Sequence, residues 1–339
     1  MLSAAYDEKI ARSTASGGPY LSVVIPVYNE EESLPHLIRL IGDTLSKCAY
    51  SYEIVCVDDG SSDGSAEALR RLSRSHPELR AVILRRNYGQ TAAMSAGFEC
   101  ARGDVIVTLD GDLQNDPTDI PRLLEKLNEG YDLVSGWRVN RQDAALSRLL
   151  PSKMANWLIS RVTGIALHDY GCSLKAYRAE LVADMNLYGE MHRFLPALAF
   201  IEGARITEMP VQHHARRFGQ SKYGISRTFR VVMDLMTIAF MKKFLTRPMH
   251  IFGLLGAVSM ALGVICGVAL AFSKFVLGED IGHRPLLILS TLLLLSGFQA
   301  FCVGLLAELM IRTYHESQRR PIYRIREIVG DATATGGAR

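Results

Sequence analysis

Apolar and polar positions follow two alternating rhythms along the first part of the chain. Residues 21–27 (LSVVIPV) are a short, β-branched apolar run closed by turn residues, the pattern of a strand buried on both faces. Residues 31–46 then place Leu34, Leu37, Ile38, Ile41 and Leu45 at helical spacing. The cycle repeats: strand 52–57, helix 65–73, strand 81–84, helix 90–101, strand 105–109, helix 120–128, strand 131–135. Such alternation predicts an α/β fold, an open and mainly parallel sheet covered by helices on both faces. Ligands of these sheets bind outside the carboxyl ends of the strands, so the polar residues that follow each run are the first candidates for chemistry.

Beyond Arg138 the rhythm loosens, and the chain becomes richer in Arg, His and Tyr. Residues 224–245 align Phe229, Val232, Met233, Met236 and Phe240 on one face, with Arg227, Arg230, Lys242 and Lys243 near the ends. That pattern suits either a helix lying in a membrane interface or an ordinary core helix. Two runs almost free of charge follow, 251–276 and 286–310. As a helix, each would measure about 37 Å, against a hydrocarbon thickness of about 30 Å. Lys274 and Glu308 sit near ends, where they can snorkel or pair. Basic residues crowd before the first run (Arg216, Arg217, Lys222, Lys242, Lys243, Arg247) and after the second (Arg312, Arg319, Arg320, Arg324, Arg326). The loop between carries Lys274, His283 and Arg284 beside Glu279 and Asp280. The positive-inside rule therefore puts both ends in the cytoplasm.

The expected organisation is a mobile tail over 1–19, an α/β domain over 20–223, an amphipathic juxtamembrane helix over 224–247, two transmembrane helices over 248–311 and a cytoplasmic tail over 312–339. Average composition, 48% hydrophobic and 22% charged, hides this segregation and by itself would suggest a soluble protein. The net charge of +3 comes with basic residues at the membrane margin, not interleaved with stacking aromatics, so no nucleic-acid partner is expected. Six scattered cysteines form no C-x-x-C, which argues against a disulfide framework or a zinc site. The chain start lacks the basic residues and apolar run of a signal peptide.

Asp110-Gly111-Asp112-Leu113-Gln114 directly follows a predicted strand. Two carboxylates one small residue apart can hold a divalent ion and a ribose. With the Gln114 amide oxygen they form a hard donor set suited to Mg²⁺ or Mn²⁺, a Lewis acid for a departing diphosphate. Alone, such a pair is equally a solvated turn. Strand one, however, ends in Pro26-Val27-Tyr28-Asn29-Glu30, and strand two in Asp58-Asp59-Gly60-Ser61-Ser62-Asp63-Gly64. An aromatic for stacking and acids for base or ribose groups are what a nucleoside pocket needs; the bland alternative for the second cluster is a turn and helix cap. In one parallel sheet the three polar ends converge.

The stretches VVIPVYNEEES, VDDGSSDGS, RRNYGQTAAMSAGF and LDGDLQNDP resemble family 2 glycosyltransferases of GT-A fold. Within that family the chain is similar to the polyprenyl-phosphate glycosyltransferases, the group of dolichyl-phosphate mannose synthase and the bacterial undecaprenyl-phosphate sugar transferases. GYDLVSGWRVNRQD, DYGCSLKAY and RRFGQSKYG come nearest to the formamido-arabinose transferases of lipid A modification. The resemblance spans about residues 20–325. It implies transfer of a sugar from a nucleotide sugar, UDP-linked rather than GDP-linked, to a polyprenyl phosphate such as undecaprenyl phosphate, at the cytoplasmic face of the inner membrane. It implies nucleotide-sugar contacts from Pro26, Tyr28, Glu30, Asp58, Asp59 and Asp110, with metal and diphosphate at Asp110, Asp112 and Gln114. Arg138, Arg148 and Ser152 would hold the acceptor phosphate, Arg216 and Lys222 would close over the phosphates, and Arg193 is a further candidate. It also admits a homo-oligomer, a tetramer among the forms.

Chemistry agrees with those roles. A polyprenyl phosphate arrives ionised, so its attacking oxygen needs positioning by Arg and Ser rather than deprotonation. Arg148 and Ser152, at i and i+4, can share a helix face. Direct attack would invert the anomeric carbon in a single displacement. A processive polysaccharide synthase of the same fold would carry a Q-x-x-R-W element and more membrane helices. A non-catalytic scaffold for the lipid carrier would not need an intact D-x-D.

Overall fold

The computed structural model describes residues 18–139, 160, 164–183, 185, 191–215, 248–278, 280–282, 284–317 and 322–330. The chain forms two compact units, one made of Met1–Ile238 with Pro321–Arg339, the other of Ala239–Arg320.

The first unit is built on an eight-stranded sheet in the order β7-β5-β6-β4-β1-β2-β3-β8. The strands are β1 (Leu21–Val27), β2 (Tyr52–Asp58), β3 (Leu79–Leu84), β4 (Val105–Thr108), β5 (Leu133–Arg138), β6 (Lys175–Arg178), β7 (Ile206–Val211) and β8 (Ile325–Val329). β1 pairs in parallel with β2 and β4, β2 with β3, and β5 with β7. β6 runs antiparallel to β4 and β5, and β8 antiparallel to β3. The chain moves outward from β1 through β2 to β3, then crosses back to place β4 on the other side of β1. That reversal is the topological switch point, where an open α/β sheet leaves a crevice.

The helices α1 (Leu34–Leu45), α2 (Ser65–Ser75), α3 (Gln90–Cys100) and α4 (Ile120–Asn128) fall where the periodicity predicts, within three residues. Leu34, Leu37, Ile38, Ile41 and Leu45 are all buried in one core with Val23, Ile25 and Val27 of β1. α3 packs so close to the sheet that a Cβ on Gly97 would collide with the Val24 side chain. At the sheet's amino end, the buried Arg80–Glu53 pair (3.0 Å) and the Ser22 hydroxyl bonded to Glu53 (2.6 Å) close the core. Two short helices, α5 (Ala179–Ala183) and α6 (Leu195–Ile201), follow.

β8 is an element that the sequence pattern left in the tail. It pairs Ala81 with Val329 and Ile83 with Glu327. Arg70 bonds Glu327, the Tyr323 hydroxyl donates to Glu99, and the Tyr323 ring is 3% exposed. A five-residue edge strand with alternating burial carries too weak a pattern to stand out.

The second unit contains α7 (Pro248–Phe275) and α8 (Pro285–Ser317), which continues six residues past the expected span. Their apolar stretches, Phe252–Phe275 and Pro285–Leu306, are long and apolar enough to cross a membrane. The helices run antiparallel along a seam of small residues. Ser259 bonds the Leu293 carbonyl and Ser290 the Gly263 carbonyl, both at 2.8 Å, while a Cβ on Gly256 would lie 2.8 Å from the Gly297 oxygen. The outer faces expose Leu254, Leu295, Phe298 and, at 81%, Phe275, an apolar surface suited to lipid. The juxtamembrane segment 224–247 lies outside the described residues.

Tyr323→Ala removes a buried ring from under β8 and is expected to cost about 3 kcal/mol. A thermal unfolding scan of the α/β unit should show a midpoint lower by roughly 6–12 °C. An unchanged midpoint would mean that β8 does not hold the sheet edge.

Candidate active site

The loops after β1 and β2 are stitched together. Asn29, at φ 55°, donates its N–H to the Ser61 hydroxyl (2.9 Å) and accepts from Ser62 N–H (2.8 Å) through its side chain. Glu30 N–H donates to Ser65 and Gly64 N–H to the Glu31 carboxylate. The Ser and Asp residues of DGSSDGS are largely spent on this seam. Gly60, at φ 64°, sits against the backbone of Arg86 and Asn87, where any side chain would clash.

Asp58 and Asp59 diverge. Asp58 is 1% exposed, accepts from Ser61 N–H (3.3 Å) and is not among the residues that line the cleft described below. Asp59 lines the cleft and accepts from the N–H groups of Tyr88 (2.7 Å) and Gly89 (2.9 Å), fixing the loop that opens α3. Burial pushes both carboxyls above the ordinary Asp range, against these hydrogen bonds.

Asp110 and Asp112 occupy the carboxyl end of β4, beside β1 at the switch point. Gln90, the first residue of α3, donates its amide to Asp110 (2.8 Å). Asp112 is 7% exposed and accepts from Gln114 N–H (3.2 Å), with Leu113 held at φ 60°. Burial, then the neighbouring Asp112 charge, push Asp110 up to about 6, while hydrogen bonding to Ser173 and then the charges of Arg138 and Lys175 pull the other way. The loop is pinned to the residues after β7: His214 N–H donates to the Gln114 carbonyl (2.7 Å), and Gln212 N–H to Asp119 (2.6 Å). Asp119 is buried in that contact and in an ion pair with Arg122.

A cleft of about 210 Å³, open to solvent, brings Pro26, Tyr28, Glu30, Asp59, Gln90, Asp110 and Asp112 together. Gln114, two residues on from Asp112, is half-buried and is not part of this lining. Among the described residues no three His, Cys, Asp or Glu side chains form a closed metal site. The donor set, two carboxylates with an amide oxygen nearby, is therefore incomplete by itself and fits a hard divalent cation that also takes oxygens from a ligand.

A second, smaller cavity of about 50 Å³ shares Gln90 and Asp110 and extends over β6, past Thr108, Ser173, Lys175 and Tyr177 to His192 and Arg193. Lys175, 3% exposed, donates to the carbonyls of Tyr170 (3.4 Å) and Cys172, and burial pulls its pKa down. His192 is lowered to about 3 by burial and then by the charges of Arg193 and Lys175, so its ring is neutral. Arg193 Nε donates to His192 Nε2 (3.4 Å), which leaves Nδ1–H to donate to Thr91 (2.8 Å).

Arg138, the last residue of β5, makes a fork to Asp169, Nε at 2.6 Å from Oδ2 and Nη2 at 3.0 Å from Oδ1. Burial disfavours its charge, but Asp169 outweighs that and raises its pKa. Arg148, Ser152, Arg216 and Lys222 lie outside the described residues. Gln90, in RRNYGQTAAMSAGF, and Asp169 and Lys175, in DYGCSLKAY, lie in stretches that carry the family resemblance, yet composition and spacing give them no role of their own; His192 stands beside Arg193.

Residues 22–185 match the family model described as glycosyl transferase family 2. The chain is 48% identical to a dodecaprenyl-phosphate galacturonate synthase of Rhizobium johnstonii, over 92% of this chain and 93% of that one. It is 42% identical to an undecaprenyl-phosphate 4-deoxy-4-formamido-L-arabinose transferase of Pseudomonas fluorescens, over 93% and 91%. A solved glucosyl-3-phosphoglycerate synthase of Mycobacterium tuberculosis, in complex with Mn²⁺, uridine diphosphate and phosphoglyceric acid, shares the fold (TM-score 0.51, 18% identity, 68% of this chain and 80% of that one). With a near full-length relative at this identity and the strand ends gathered around a D-x-D, the chain belongs to glycosyl transferase family 2, among its polyprenyl-phosphate glycosyltransferases.

Proposed function

We propose that this enzyme moves a sugar, with inversion, from a UDP-sugar to an undecaprenyl-type phosphate, giving a lipid-linked sugar donor for the cell envelope. It is anchored in the inner membrane, with the catalytic unit on the cytoplasmic side. The observation that carries the reading is the convergence of the β1, β2 and β4 ends on one cleft, joined at Asp110 to a second cavity lined by cations. Tyr28, Glu30 and Asp59 line the nucleoside side. Asp110 and Asp112 hold the diphosphate side, with the Gln114 amide in support. The second cavity takes the transferred sugar and faces the acceptor.

The cation at Asp110 and Asp112 would be Mg²⁺ or Mn²⁺, and when bound it supplies Lewis-acid stabilisation of the leaving diphosphate. The solved relative's complex with Mn²⁺ and uridine diphosphate supports this choice. The relatives named for dodecaprenyl and undecaprenyl phosphate support the acceptor class. Arg138, with Arg148 and Ser152, would orient the acceptor phosphate, and Arg216 and Lys222 would close over the donor. An ionised phosphate needs no base, so orientation and charge carry the rate. Self-association, a tetramer included, belongs to the same reading, since the exposed faces of α7 and α8 can be covered by a second copy as well as by lipid.

Purified full-length protein should release UDP only when a UDP-sugar, a divalent cation and undecaprenyl phosphate are all present; equal release without the lipid would defeat the acceptor assignment. Asp112→Asn should lower kcat by on the order of a thousandfold, the scale expected for lost charge stabilisation, with an unfolding midpoint close to the wild type. Turnover at the wild-type rate would take Asp112 out of the diphosphate role.

His192 gives a pH signature. Its folded pKa of about 3 lies below the unfolded value near 6.5, so the unfolded chain binds the extra proton first as pH falls. Its contribution is thus complete above pH 6.5 and is lost on acidification toward 3, with a slope of at most about 1.4 kcal/mol per pH unit. Chemical denaturation between pH 7 and 4 should show that slope in the wild type and a shallower one in His192→Gln. Parallel curves would mean that His192 titrates normally.

A further inference from the structure

We infer that Asp169 is a positioning residue for the transfer, holding one edge of the Arg138 guanidinium so that its other edge faces the reacting phosphates. The inference rests on the acceptor reading above and deepens it.

The geometry is specific. Asp169 accepts from Arg138 Nε (2.6 Å), Arg138 Nη2 (3.0 Å), Arg138 backbone N–H (3.4 Å) and Gly171 N–H (3.1 Å). The two side chains are 12% and 7% exposed. A carboxylate has about four lone-pair sites, so these contacts nearly saturate it. That leaves little capacity to take a proton from a substrate, and a phosphate acceptor offers none that must be removed. The loop fits tightly: a Cβ on Gly171 would lie 3.3 Å from Arg138 Nη2.

The fork uses only the Nε and Nη2 edge of the guanidinium. Among the described residues Nη1 has no acceptor, and the positive charge of Arg138 is felt at Asp110 and Cys172, beside the second cavity. Without Asp169, the carboxylate on which that charge already acts, Asp110, would be its competing acceptor. Arg138 would then compete with the cation and present the wrong edge to the lipid phosphate. A rigid planar fork suits this duty, because fixing one edge fixes the direction of the other.

A double-mutant cycle tests the inference on the full chain in detergent or lipid. Asp169→Asn is expected to lower kcat/KM for undecaprenyl phosphate about 10- to 100-fold, mainly through KM, with UDP affinity within twofold. In an Arg138→Gln background the same substitution should cost less than about threefold, since its route of action is already gone. The pH–rate profile should keep its shape. Equal costs in both backgrounds, or the loss of a low-pH limb from kcat, would overturn the inference, the second by making Asp169 a base. Should Asp169→Asn alone fail to bind UDP, the neutral pair Arg138→Gln/Asp169→Asn, which leaves no uncompensated buried charge, is compared with Arg138→Gln; a further tenfold loss in the pair is equally fatal. Wild-type protein that turns over UDP-sugar without regard to lipid phosphate would remove the acceptor reading itself, and this inference with it.

Discussion

Two carboxylates one residue apart repel each other, and the surroundings of Asp110 and Asp112 are organised around that repulsion. Gln90 donates to Asp110, Gln114 N–H to Asp112, and the charges of Arg138 and Lys175 lean on the pair from the side. Among the described residues, Arg138 is committed to Asp169 and Lys175 to backbone carbonyls. Two cations held by other partners thus soften the burial of Asp110.

The fold supplies the rigidity that this requires. A sheet core with parallel β1, β2 and β4 brings loops far apart in sequence within hydrogen-bonding distance, and those loops then bond to one another: 29–31 to 61–65, and 59 to 88–89. The D-x-D loop is fixed from the other side by the residues after β7. The membrane unit, by contrast, is held by close backbone approach at Gly256, Gly263 and Gly297 and offers apolar faces outward. Such a division suits a water-soluble donor and a lipid acceptor.

The site was partly legible in the sequence. Pro26, Tyr28, Glu30, Asp59, Asp110 and Asp112 lie at or just after the ends of strands that the apolar runs announce, so a rule about strand ends was enough to place them on one cleft. Asp58 shows the limit of that rule: adjacent residues on a strand end point to opposite sides, and only Asp59 reached the cleft. Asp169 and Lys175 share the stretch DYGCSLKAY, and His192 stands beside Arg193, but no spacing there announces a partner for Arg138 or a buried cation.

Local patterning by itself determined the α/β core, its buried helix faces, the two long apolar helices and the D-x-D, because each depends on residues within a turn or a strand of one another. Tertiary structure alone decided that β6 would enter the sheet antiparallel between β4 and β5, that residues 325–329 would return to cap β3, and that Arg138 would be clasped by Asp169. Those outcomes join positions 31 to more than 240 residues apart, and their energies come from burial and pairing that exist only once the chain has closed on itself.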